Sequence, residues 1–268
     1  MIRYQVLTSV EAKDIYRERF SHLFEMVFNR QLGGAEWSHL VTDAPYGTGR
    51  LIVAIDGDRL VGTANLIPQK LGWGTLEWDY FLLTTSMVDP DYRKEGVYAE
   101  TINLVKQVAD DIGGKFILAF PNPKALPLLT RFFGFKSIMS VPLVTMRDSD
   151  ELKTLKADVS IKLDLPFWAW RLSHRDYFIV RQENQVLICK EYQGVIDILE
   201  VLDTGAGQVL PRLPERTVNL VNAICPANRL KSEAGTRTLT TLNATYLPLK
   251  AGVDLAGIDI SLLMWDVI

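Results

Sequence analysis

Cysteine is scarce in this sequence: Cys189 and Cys225 are the only two among 268 residues, they stand far apart, and neither belongs to a C-x-x-C pair. That usage speaks against a disulfide framework and a thiolate zinc site, and it fits a reducing compartment. Histidine is scarce too, and His22, His39 and His174 share no metal-ligand spacing. No apolar run approaches the ~18 uninterrupted residues of a membrane span, and the opening MIRYQVLTSVEAKD has no basic segment followed by an apolar core. The expectation is a cytoplasmic protein with no membrane partner. Nor does one charge dominate: 29 basic residues against 32 acidic leave a net charge of -3. Such a balance gives no general attraction to polyanions, so nucleic acid is not expected as a partner.

What is present is ordinary globular material, 48% hydrophobic and 23% charged, in a length that suits two domains better than one. Residues 2–7 (IRYQVL) read as a strand, and a helix follows from Ser9 as N-cap, with Tyr16, Phe20, Leu23, Phe24 and Val27 on one face. A weaker helical piece surrounds GAEWSHL. LIVAIDGDRLVGTANLI then gives two strands joined at Asp56, Gly57 and Asp58, a hairpin signal. LEWDYFLLTTSMV is a long strand ending before Pro90. From Val97 the period becomes helical, with Thr101, Leu104, Val105, Val108 and Ile112 on one face and Gly113 and Gly114 as the stop. KFILAF is a strand, a short helix stops at Gly134, and one more strand closes a mixed α/β unit over residues 1–146. The polar stretch RDSDELKTLKAD marks a boundary or one surface helix. Beyond it YFIVRQ, QVLICKEY and VIDILEVL are strand-like, IDISLLMWDVI ends the chain, and IVRQENQVLICK echoes the earlier hairpin VAIDGDRLVGTA.

The stretch VDPDYRKEGVYAET sets Arg93 three residues before Gly96, between a strand and a helix. The first amides of a helix lack intrahelical acceptors and carry the positive end of its dipole, which suits phosphate oxygens. Gly96 has no Cβ to hold a ligand off the backbone, and Arg93 and Lys94 add donors and charge. A bare R-x-x-G serves equally well as a tight turn.

Three patterns in order then resemble the GNAT superfamily of acyl-CoA-dependent N-acyltransferases. Val61-Gly62 stands where the family has its hairpin (I/V)-G. Val88, Pro90, Tyr92, Arg93 and Gly96 match V-x-P-x-Y-R running into [Q/R]-x-x-G-x-[G/A], and Asn122 with Gly134-Phe135 matches the strand, Asn, short helix and GF ending. The resemblance implies an N-terminal GNAT-type domain at 1–146 and, at 147–268, a related but degenerate GNAT-like half helping to form the acceptor pocket. It implies acetyl-CoA or another short acyl-CoA as co-substrate, no metal, and a primary amine as acceptor. The amides of Arg93, Lys94, Glu95, Gly96, Val97 and Tyr98 would cradle the pyrophosphate, Met87 and Val88 would pair with the pantetheine arm, and Asn122 would contact that arm or shape the acyl site. Glu77 and Asp79, on one face of the preceding strand by alternation, are the implied candidates for the base.

Two departures stand out. Tyr98 occupies a position where the family has Gly or Ala, and Thr130 replaces the tyrosine that in many members protonates the leaving thiolate. Trp37 and Pro45 resemble a segment bordering the acceptor site in two-half members, and packing is the plainer reading of it. Trp168, Trp170, Arg171 and Tyr177 would either stack on a ring or sit at the seam between the halves. LDTGAGQVL, with Gly205 and Gly207, offers no second CoA site. Two rivals stay open: a degenerate acyl-CoA-binding or scaffold protein without turnover, and an aminoacyl-tRNA-dependent peptidyltransferase, against which the mild acidity speaks. A homo-oligomer is left open as well.

Overall fold

Strand β1 (Arg3–Leu7) pairs antiparallel with β2 (Arg50–Asp56) at one edge of a mixed sheet. Where the sequence predicts one helix there are two, α1 (Val10–Asp14) and α2 (Arg17–Phe28). Ser9 caps the first as expected, its Oγ accepting the Ala12 amide at 3.2 Å. The break falls at Ile15 and Tyr16. Ile15 points to solvent, and the Tyr16 hydroxyl donates to Gln5 Oε1 at 2.8 Å, while Phe20, Leu23 and Phe24 are buried as their spacing predicts. Helix α3 (Gly34–Trp37) then runs into a π-turn over Ser38–Thr42. The computed structural model describes residues 1–73, 75–146, 155, 161–162, 164–182, 184–192, 194–205, 212–218, 220, 223–226 and 237–255. RDSDELKTLKAD apart from Leu155, Gly207 and the terminal IDISLLMWDVI lie outside the described residues.

The hairpin of β2 with β3 (Arg59–Trp73) turns at Gly57, whose φ of +58° is the conformation such a turn requires. Next along the chain come β4 (Leu76–Val88), α4 (Val97–Ile112), β5 (Phe116–Ala119), α5 (Leu126–Phe132), β6 (Lys136–Thr145) and β7 (Ile161–Lys162). Helix α6 (Leu165–Arg171) and strands β8 (Tyr177–Gln182), β9 (Gln185–Tyr192), β10 (Val195–Asp203), β11 (Ile224–Pro226) and β12 (Arg237–Pro248) complete the described elements. The face of α4 is turned slightly from its predicted setting: Ile102 and Ala109 are buried with Val97, Thr101 and Val105, and Ile112 is exposed. Gly113 ends the helix at φ +93°.

One sheet takes all the described strands, in the order β1-β2-β3-β4-β5-β12-β6-β11-β10-β9-β8, with β7 on the far part of β3. The expected division at residue 146 falls at the end of β6, and the sheet runs on across it. β12 lies between β5 and β6, antiparallel to both. One face of the sheet is covered by α2, Trp37 and α6, through Phe20, Leu23, Phe24, Phe167 and Trp168. On the other face α4 and α5 enclose Ile52, Leu66, Phe81, Leu83, Ile102, Val105 and Leu129.

Candidate active site

β4 and β5 run parallel for only a short distance, Phe81–Leu83 against Ile117–Ala119. β5 then ends, and β4 continues for five residues, Thr84 to Val88, with no partner on that side among the described residues. On its other side β4 carries a bulge. Thr63 pairs with Met87 and Asn65 with Thr84, so Thr85 and Ser86 together oppose the single residue Ala64. Thr85 sits at φ +47°, an uncommon setting for a β-branched residue, and the Thr63 hydroxyl holds its carbonyl at 2.9 Å. The side-chain hydroxyls of Thr84, Thr85 and Ser86 are buried there without a hydrogen-bond partner. Orphaned groups on a strained bulge at an opening between strands are a pattern associated with functional sites.

From Val88 the chain turns through a 3-10 turn at Pro90–Tyr92 into α4. Gly96 is the N-cap, at φ +74°, and a Cβ built on it would meet nothing within 4 Å. The first helical bond runs from the Glu100 amide to the Gly96 carbonyl at 3.1 Å, so the amides of Val97, Tyr98 and Ala99 have no helical acceptor. Arg93, Lys94, Glu95 and Gly96 are exposed. Open space over free amides, beside two cationic side chains, suits a phosphate.

The turn is braced from behind. Asp89, almost fully buried, accepts the Asp91 amide at 3.0 Å and pairs with Arg59 at 2.6 Å. Arg59 also pairs with Asp91 at 2.8 Å, and the Tyr92 hydroxyl donates to Asp56 at 3.0 Å. That hydrogen bond, joined by the chain's first amine, holds the Asp56 carboxyl below its ordinary range.

The remaining predicted residues divide by position. Tyr98 turns its ring from the turn onto Phe133, with centroids 5.9 Å apart, and burial pushes its hydroxyl up to about 12. Met87 and Val88 lie on the free part of β4 with their side chains buried. Asn122 is exposed just past β5, and its Oδ1 accepts the Lys124 and Ala125 amides at 3.0 and 2.9 Å, which starts α5. Thr130 bonds back to the Leu126 carbonyl at 2.9 Å. Glu77 and Asp79 are exposed on one face of β4, at its far end, where the Asp79 carbonyl accepts the Lys115 amide at 2.9 Å. Thr84 lies five positions beyond Asp79, roughly 17 Å of extended strand, so neither carboxylate stands at the splay.

Sequence reasoning missed the bulge, for which the only signal is the polar triplet TTS inside an apolar strand. It also missed two buried polar features. Lys13, wholly enclosed, donates to the Val41 carbonyl at 2.9 Å, and burial lowers its amine to about 8. His39 is sandwiched between Trp170 and His174, with centroids at 4.4 and 3.7 Å, and burial keeps it neutral. Trp168, Trp170 and Arg171 are thus core residues, with the Trp170 ring N–H donating to the His39 carbonyl at 3.2 Å. Among the described residues no group of His, Cys, Asp or Glu is placed to hold a metal, and no helix is long and apolar enough to cross a membrane.

Comparison with known proteins agrees with this geometry. The family model described as "Acetyltransferase (GNAT) domain" matches residues 10–132. No curated protein matches the sequence. Among solved structures, a GCN5-related N-acetyltransferase from Kribbella flavida is similar at 12% identity and TM-score 0.57, over 92% of this chain and 72% of that one. Eis1 from Mycobacterium abscessus is similar at 10% identity and TM-score 0.59, over 93% and 74%. A GCN5-related N-acetyltransferase from Anabaena variabilis ATCC 29413 gives 9% and 0.56, over 92% and 73%. At these identities the likeness is one of fold. Residues 10–132 thus match the GNAT acetyltransferase domain in sequence, and the chain is similar to GNAT acetyltransferases in fold.

Proposed function

We propose that the protein is an N-acetyltransferase that moves an acetyl or other short acyl group from acyl-CoA to a primary amine. The observation that carries this reading is the exposed N-terminus of α4 behind Gly96, placed at the end of a bulged strand whose last five residues lack a partner on the β5 side. The free amides of Val97 to Ala99 would hold the pyrophosphate, with Arg93 and Lys94 beside it. The open backbone edge at Met87 and Val88 would pair with the pantetheine arm, and Asn122, on the facing side of the splay, would shape the acyl site. Acyl-CoA supplies the activated acyl group. The chain's part is to orient the thioester at Thr84–Ser86, where backbone amides and the unpartnered hydroxyls can polarise its carbonyl.

In the transfer the amine nitrogen bonds to the carbonyl carbon, the carbon–sulfur bond breaks, the nitrogen gives up a proton and the thiolate gains one. Glu77 and Asp79 would take the nitrogen's proton only through intervening water, given their distance along the strand. Their removal would then cost less than the ~100-fold or more of a base in direct contact. Thr130, bonded to its own helix, has no hydroxyl proton to spare for the thiolate. Release of free thiol from acetyl-CoA in the presence of a panel of small amines, amino sugars and lysine peptides tests the reading, with Asp79→Asn and Glu77→Gln assayed beside the wild type. Amine-dependent release is expected. Tight acetyl-CoA binding with no release for any amine would instead identify the non-catalytic acyl-CoA-binding rival.

A further inference from the structure

We infer that Arg59, at the tip of the β2–β3 hairpin, is a positioning residue for the anion-binding turn of α4, an inference that rests on the acyl-CoA reading above. Asp89 and Asp91 are two carboxylates that come just before the residues whose amides would receive a pyrophosphate. Left uncompensated, their charge would oppose an anionic ligand and weaken the effect of Arg93 and Lys94. Arg59 answers both, at 2.6 Å from Asp89 and 2.8 Å from Asp91.

The burial of these groups differs in an informative way. The Asp89 side chain is 1% exposed, so little water stands between it and Arg59. Asp91 is 71% exposed and is screened by water in any case. The pair with Asp89 therefore carries the role. Asp89 Oδ1 fixes the start of the 3-10 turn by accepting the Asp91 amide, and its Oδ2 meets Arg59, so the guanidinium holds the carboxylate that holds the turn. Arg59 also lies over the Tyr92 ring, 5.3 Å from its centroid, and the Tyr92 hydroxyl is tied to Asp56 on the same hairpin. From Asp56 to Arg59 the hairpin tip thus grips the turn at Asp89, Asp91 and Tyr92, all before Gly96. A rigid hairpin sets the height of the free amides, and Arg59 is the link that joins charge compensation to geometry.

The test is calorimetric titration of acetyl-CoA into the wild type, Arg59→Met, Arg59→Lys and Arg59→Met/Asp91→Asn, with amide hydrogen exchange over residues 90–99 in the free proteins. Arg59→Met should raise the acetyl-CoA Kd about tenfold and speed exchange in the turn, with exchange in β8 and β9 unchanged. Arg59→Lys should recover most of the affinity, and Asp91→Asn in the Met background should recover little of it, because that exposed carboxylate is already screened by water. In kinetics the effect belongs in KM for acetyl-CoA, with kcat at saturation preserved. Equal affinity and equal exchange in wild type and Arg59→Met would overturn the role of Arg59 and leave the functional reading standing. A wild type that does not bind acetyl-CoA would overturn both.

Discussion

Single residues carry much of the local logic. Gly96 stands at φ +74° with open space where a Cβ would be, so a phosphate can approach the backbone there. Sequence spacing pointed to this residue, because strand, turn and helix are each legible on either side of it. Lys13 shows the opposite case. A lysine at position 13 looks like an ordinary surface residue of an amphipathic helix, but the π-turn at Ser38–Thr42 closes over it and offers one carbonyl, that of Val41. No local pattern announces such a contact, since its partner lies 28 residues away. Burial lowers the folded-state pKa to about 8 from an ordinary 10.5. Between those values the unfolded chain binds more protons, so wild-type stability should rise with pH across that window. Lys13→Met should be more stable at pH 7 by on the order of 1 kcal/mol, with the gap closing as pH rises towards 10. Urea unfolding at several pH values checks this, and parallel stability curves for the two proteins would contradict it.

At the scale of elements, the sheet and α4 meet through glycine. A Cβ on Gly62 would lie 2.7 Å from Val97 Cγ1 and 3.4 Å from the Ala54 Cβ, so the first turn of α4 can settle onto β3 only if position 62 has no side chain. That contact gives the hairpin's V-G pattern a physical reason. Gly62→Ala should lower stability by about 1–3 kcal/mol through overpacking, and acetyl-CoA affinity should fall with it because the displaced turn carries the free amides. Gly33→Ala is the control, since a Cβ there meets nothing within 4 Å. A Gly62→Ala protein with wild-type melting temperature and affinity would contradict the account.

The order of strands and helices through β6 was legible because each has its own period and stop signal, Gly57, Gly113 and Gly134 among them. Two details were not. The break between α1 and α2 depends on Tyr16 reaching Gln5 of β1, and the bulge at Thr85 depends on the register of β3 against β4. Both are set by pairing between segments, which spacing within one segment does not encode.

For the whole molecule, the decisive feature is β12. The sequence suggested a division at residue 146, where composition turns polar, but nothing local says which sheet a later strand joins. Residues Thr245–Pro248 pair with β5, and residues along β12 from Arg237 to Tyr246 pair with β6. Without them the four-residue β5 would keep β4 as its only neighbour, and both β5 and β6 would expose unpaired backbone edges. A fragment of residues 1–146 should therefore aggregate or fail to unfold cooperatively, whereas the full chain should unfold cooperatively. A soluble 1–146 fragment with a sharp melting transition and acetyl-CoA affinity would show that the first half stands alone.

The central claim is that the turn at Gly96 binds the pyrophosphate of an acyl-CoA. Calorimetric titration of acetyl-CoA into the wild type, Gly96→Asn and Gly96→Asp tests it most directly. Asn and Asp are alike in shape and both tolerate a left-handed backbone, so the difference between them isolates the added charge. Micromolar binding by the wild type, modest weakening in Gly96→Asn and loss in Gly96→Asp is the expected result. Equal affinity in the Asn and Asp variants would place the anion elsewhere, and no binding by the wild type would contradict the account at its root.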